Sequence, residues 1–80
     1  MSKFRVSYGD VFEFVGDAGD VVGELRVRHR SPDVSEDRFR RRLAIEMCEW
    51  DGGWFYFGDN DSFASSMMAH GMLVELPEVG

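Results

Sequence analysis

The stretch RFRRRLAIEMCEWDGGWFYF, residues 38–57, decides the fold. Residues 38–50 read two ways. As a helix, Phe39, Leu43, Met47 and Trp50 recur at near-helical spacing, with Ala44 and Cys48 beside them. As a strand, Leu43, Ile45 and Met47 share one face, opposite Arg42, Ala44, Glu46 and Cys48. The residues after Trp50 arbitrate. Asp51-Gly52-Gly53, flanked by Trp50 and Trp54, is a hairpin signal. Trp54-Phe55-Tyr56-Phe57 is aromatic throughout and reads as a strand. A strand needs a partner, and residues 38–50 are the nearest one. The strand reading is favoured, and the helix stays open as the alternative.

Outward from this stretch, the N-terminal third reads as strands. Phe4, Val6 and Tyr8 alternate with Lys3, Arg5 and Ser7, a period-2 pattern with one apolar face. Gly9-Asp10 punctuates it, and residues 11–15 form a second short strand around Glu13. Residues 16–20 make a turn, with two glycines and two aspartates. In residues 21–29, Leu25 and Val27 alternate with Glu24, Arg26 and Arg28, so a third strand is expected with its arginines toward solvent. Residues 31–37 are a polar loop in which Pro32 turns Ser31 away from helix. Asn60-Asp61-Ser62 looks like a helix cap, residues 63–71 a short helix stopped by Gly71, and residues 73–76 a last strand ended by Pro77. The expected fold is therefore α+β: one domain over residues 1–80, a mostly antiparallel sheet of about five to six short strands with one short α-helix packed on it. Its predicted core comprises Phe4, Val6, Phe12, Phe14, Leu25, Val27, Leu43, Ile45, Met47, Phe55, Phe57, Phe63, Met67 and Leu73.

Composition supports a folded chain. A domain of 80 residues buries roughly 60% of its unfolded surface, enough to stand without staples. Hydrophobic residues make up 44% of it, and eleven are aromatic, which excludes a disordered tail. Cys48 is the single cysteine, so no internal disulfide forms and a reducing cytosol is expected. No apolar run approaches a membrane span, and no signal-like apolar segment follows Met1.

Charge carries the functional signal. Residues 26–42 hold seven arginines against three acids, a net of +4, within a chain whose total is −6; the remainder is −10. Arg26, Arg28, Arg30, Arg40 and Arg42 form a basic stripe whose guanidinium forks suit carboxylate or phosphate. The acids fall in clusters at turns, and Asp17, Asp20, Glu49, Asp51, Asp59 and Asp61 compose a candidate acidic face able to imitate duplex phosphates in a basic channel. Trp50, Trp54 and Tyr56 are candidate aromatic hot spots beside these charges. Direct nucleic-acid binding, through the arginine face and an aromatic stacking platform, is the rival reading, and the net charge opposes it.

Catalytic chemistry finds little purchase. Asp59-Asn60-Asp61 resembles the start of a calcium loop, but the sixth and twelfth positions are Ala64 and His70 instead of Gly and Glu. Cys48, His29 and His70 are far apart, carry no local signature, and fall short of a structural zinc set. No enzyme activity, metal or cofactor is expected.

The whole chain resembles the small, acidic, phage-encoded anti-CRISPR proteins that inhibit type I systems, type I-C among them. The likeness lies in length, acidity, the single-domain α+β pattern and the general look of FRVSYGDVFEFVGDAGDVVGELRVRHR and MCEWDGGWFYFGDND. That group shares no sequence signature, so no functional residue carries over. The resemblance implies a non-enzymatic inhibitor that binds subunits of the CRISPR Cascade in the cytoplasm of a bacterial host. It would block target-DNA binding or a later recruitment.

Overall fold

The computed structural model describes residues 2–28 and 35–77. The N-terminal alternation folds as expected. Strands β1 (Ser2–Tyr8) and β2 (Asp10–Gly16) form an antiparallel hairpin turned at Gly9. Its register sets Phe4 opposite Phe14 and Val6 opposite Phe12 on the inner face, where the rings of Phe4 and Phe14 stack at 5.4 Å. The outer face carries Lys3 and Arg5, both paired with Glu13 at 3.1 and 3.3 Å. The hydrogen bond and charge of Lys3, with help from Arg5, hold the Glu13 carboxyl below the usual glutamate range. The expected C-terminal strand, β3 (Leu73–Leu76), pairs antiparallel with the other edge of β1, giving the order β2-β1-β3.

The middle of the chain is helical, which overturns the five-to-six-strand, one-helix expectation. A 3₁₀ turn (Ala18–Asp20) leads into α1 (Val21–Arg28), and α2 (Glu36–Asp51) and α3 (Asn60–Ala69) come after it. The described residues thus hold three strands and three α-helices.

Residues 21–28 are not a strand because their buried side chains, Val21, Val22 and Leu25, repeat at helical spacing, while Val27 points to solvent at 77% exposure. Residues 36–51 are not a hairpin arm for the same reason. The buried set Phe39, Arg40, Leu43, Ala44 and Met47 makes one helical stripe, and Ile45 lies outside it at 52% exposure.

The ends of α2 explain the misleading hairpin signal. Ser35 caps the start, its Oγ accepting from the Arg38 amide at 3.3 Å, with Glu36 and Asp37 in the first turn. At the other end Gly52 takes the left-handed conformation (φ 77°), and its amide donates to the Cys48 carbonyl at 2.8 Å. Asp51-Gly52-Gly53 is therefore a helix stop of the glycine type and not a hairpin turn. Residues 54–57 after it belong to no strand, and among the described residues the sheet is β2-β1-β3 alone. Their alternation survives all the same: Phe55 is buried, Phe57 half-buried, and Trp54 and Tyr56 exposed.

One core joins these parts. Phe4, Val6, Phe14 and Leu73 come from the sheet, Val21, Val22 and Leu25 from α1, Phe39, Leu43 and Met47 from α2, and Phe63 and Met67 from α3, with Phe55 among them. Phe12 and Phe57 pack at its margin.

Candidate interaction surface

The residues of the basic stripe come from two helices, and both Arg26 and Arg40 reach Glu36. Arg26 and Arg28 belong to α1, Arg40 and Arg42 to α2, and Arg30 falls outside the described residues. Arg28 lies over the Phe12 ring at 3.7 Å, and Arg26 reaches Glu36 at 3.5 Å. Arg40 is internal, at 5% exposure. Its Nε donates to the Phe57 carbonyl at 3.0 Å, its Nη1 to Asn60 Oδ1 at 2.5 Å, and its Nη2 to Gly58 O at 3.3 Å and to Asp37. This side chain fastens α2 to the segment that enters α3. Arg42 is exposed.

Four carboxylates of the acidic face converge. Asp17, Asp20, Asp59 and Asp61 line one depression of about 430 Å³, together with Gly19, Arg40 and Asn60. The 3₁₀ turn supplies the first pair and the start of α3 the second. Asp20 Oδ2 accepts from the Asp17 amide at 2.8 Å. Asp59, not Asn60, caps α3: its Oδ1 accepts from the Ser62 amide at 2.7 Å. Hydrogen bonds from Ser62 hold the Asp59 carboxyl below the usual aspartate range, and the Arg40 charge adds to the effect. All four aspartates are exposed. Among the described residues no group of three metal-ligating side chains is close enough to hold an ion.

Glu49 and Asp51 sit elsewhere, on the last turns of α2. Asp51 Oδ2 accepts from His70 Nδ1 at 2.5 Å, while Nε2 of the same ring lies 3.3 Å from the Trp54 carbonyl. The His70 ring also stacks on Phe55 at 4.3 Å. A Cβ on Gly53 would collide with this ring, so only glycine fits there while the ring keeps its place. His70 thus latches residues 51–55 onto the end of α3, a role that its place in the sequence did not announce.

No known protein family, curated protein or solved structure matches this chain.

The latched segment displays Trp54 and Tyr56, edge to face at 6.4 Å and 85° and each more than 60% exposed. Trp54 stands between two shallow grooves. One runs along α3 past Tyr56, Ser62 and Ser65 to His70. The other, about 410 Å³, runs along α2 past Arg41, Ile45, Cys48 and Glu49. Trp50 lies apart from them, packed against Tyr8 at 5.2 Å. Cys48 is half-buried in the α2 groove, His70 is engaged by Asp51 and Trp54, and His29 lies outside the described residues. Among the described residues no helix is long and apolar enough to cross a membrane.

Proposed function

We propose that this chain is a non-enzymatic protein inhibitor that seats an acidic face in the basic channel of a nucleic-acid-handling complex. The sequence resemblance points to subunits of type I Cascade, which would place the protein in the cytoplasm of a bacterial host. The observation that carries the reading is the convergence of Asp17, Asp20, Asp59 and Asp61 on one depression. The two pairs are 39 to 44 residues apart in the chain and line the same depression, and a basic channel built for phosphates would receive such gathered negative charge. Charge of this kind speeds encounter with a basic channel and fixes register more than it sets affinity.

The test is displacement. Purified type I Cascade is titrated with labelled target duplex, with and without an equimolar amount of the protein. Loss of duplex binding supports the reading, and unchanged binding and target cleavage at tenfold excess contradict it. A second reading, direct single-strand binding, is favoured by the exposed Trp54–Tyr56 pair, which offers bases a stacking surface. It requires affinity for labelled single strands that falls steeply with salt.

A further inference from the structure

Beyond its first turn, helix α2 wears its exposed charges in an order that its own dipole disfavours. After the acidic first turn come Arg38, Arg41 and Arg42; Glu46, Glu49 and Asp51 occupy the C-terminal half, and the last turn has no basic residue. A helix dipole is best matched by cations at the C-terminus and anions at the N-terminus. Local contacts account for part of the acidic half, since Glu46 accepts from the Tyr8 hydroxyl at 3.1 Å and Asp51 pairs with His70. Neither Arg41 nor Glu49 has an ion-pair partner among the described residues. Both line the groove beside Trp54, and Ile45 stands between them, apolar and half exposed.

Arg41 and Glu49 lie four residues on either side of Ile45. That spacing is self-complementary. If a second α2 runs antiparallel across the first with its two-fold axis at Ile45, each Arg41 meets a Glu49 of the other copy, and the two Ile45 side chains meet at the centre. The Trp54 rings wall the same groove and cover the apolar centre. The result is an isologous patch with an apolar middle and paired charges at its rim.

We infer that the α2 groove of Arg41, Ile45, Glu49 and Trp54 is a homodimer interface, occupied by the antiparallel α2 of a second copy of this chain. Charge complementarity selects this occupant. The groove is basic at one end and acidic at the other, and α2 itself has the matching order when reversed. This face shares no residue with the aspartate depression, so a dimer presents two acidic faces. It uses Glu49 and Trp54 for self-association and removes them from the surface offered to another partner.

Sedimentation equilibrium tests it, with loading from about 5 to 500 µM because a patch this small belongs with the weak interfaces. Wild type should shift from the 9.2 kDa monomer toward twice that mass. Arg41→Glu and Glu49→Arg should each weaken association by at least about tenfold, since each sets like charges opposite one another. The double variant Arg41→Glu/Glu49→Arg should restore the dimer. Within one helix these positions are about 12 Å apart and cannot rescue each other, so restoration reads a contact between chains. Ile45→Asp, on an exposed position that leaves the fold intact, should abolish the dimer. A monomer at every concentration overturns the inference, as does a dimer that survives Ile45→Asp or a charge swap that fails to restore association while circular dichroism stays native. None of these results touches the displacement assay, which reads the aspartate depression in a monomer as well as in a dimer.

Discussion

Between the 3₁₀ turn and the start of α3, four aspartates lie exposed around one depression, whereas Arg40, which lines the same depression, is buried. Both regions carry formal charge, but only one displays it. The difference lies in what stands nearby. Asp20 accepts from the Asp17 amide, and Asp59 accepts from Ser62 and the Asp61 amide, yet both residues stay exposed. Arg40 meets two backbone carbonyls, an amide oxygen and two carboxylates, so its fork is filled from within the chain. A run of arginines in the sequence is thus not a run of binding residues. The availability of each depends on which acceptors the fold brings to it.

The largest expected effect breaks the inner half of this comparison. Arg40→Ala should cost roughly 3 kcal/mol, because two backbone carbonyls and the Asn60 oxygen lose their donor together. Arg40→Lys should recover little, since an ammonium cannot reproduce the fork. Denaturant titration measures both. Stability within about 0.5 kcal/mol of wild type for Arg40→Ala would show that the fork is dispensable.

Tyr8 supplies the next effect. Burial, with the charge and hydrogen bond of Glu46, pushes its hydroxyl up to about 12. An acid raised in the folded state contributes stability that is complete below its unfolded value near 10 and is lost as pH rises toward 12. The stability difference between wild type and Tyr8→Phe should therefore be constant below about pH 10 and shrink above it. A difference that does not change between about pH 9 and 12 would contradict the Tyr8–Glu46 contact.

Asp59 gives a smaller effect of opposite sign. Its lowered carboxyl contributes stability above the ordinary aspartate range, and that contribution fades as pH falls through the folded value. Asp59→Ala should lower the melting temperature at neutral pH, and Asp59→Asn should keep most of it, because asparagine also caps. Equal losses in the two variants would mean that charge, not capping, is what matters there. Smallest of all, Arg38→Ala on the exposed face of α2 should stay within about 0.5 kcal/mol of wild type.

Legibility in the sequence divided along the same physical line. The β1–β2 hairpin was readable because strict alternation and a turn at Gly9 both came from neighbouring residues. The short helix near residue 63 and the last strand were readable too, although the cap proved to be Asp59. The strand expectations for residues 21–29 and 38–50 fail because the deciding information is not local. Leu25 and Val27 satisfy a strand pattern as well as Val21, Val22 and Leu25 satisfy a helical one, and only burial in the shared core, against α2 and α3, selects the second. For α2 a signal did exist: Ser35 followed by Glu36 and Asp37 is a helix start, and a glycine after a periodic run is a stop. Reading residues 31–37 as a polar loop passes over this start, and the strand reading rests on the aromatic run beyond Gly53. Of the site, the identity of the surface aspartates and of Trp54 and Tyr56 was legible, but their grouping was not. Nothing in the sequence showed that the 3₁₀ turn and the start of α3 would share a depression, or that Arg40 would be enclosed.

The most direct measurement compares two neutralised surfaces in the displacement assay. Asp17→Asn/Asp61→Asn removes charge from the depression while leaving Asp20 and Asp59 to their backbone contacts. Arg26→Gln/Arg28→Gln/Arg30→Gln removes charge from the basic segment. The expected result is that the aspartate variant no longer displaces target duplex from Cascade, while the arginine variant displaces it as wild type does, both with native circular dichroism. Full displacement by the aspartate variant, with loss confined to the arginine variant, would contradict the acidic face as the docking surface.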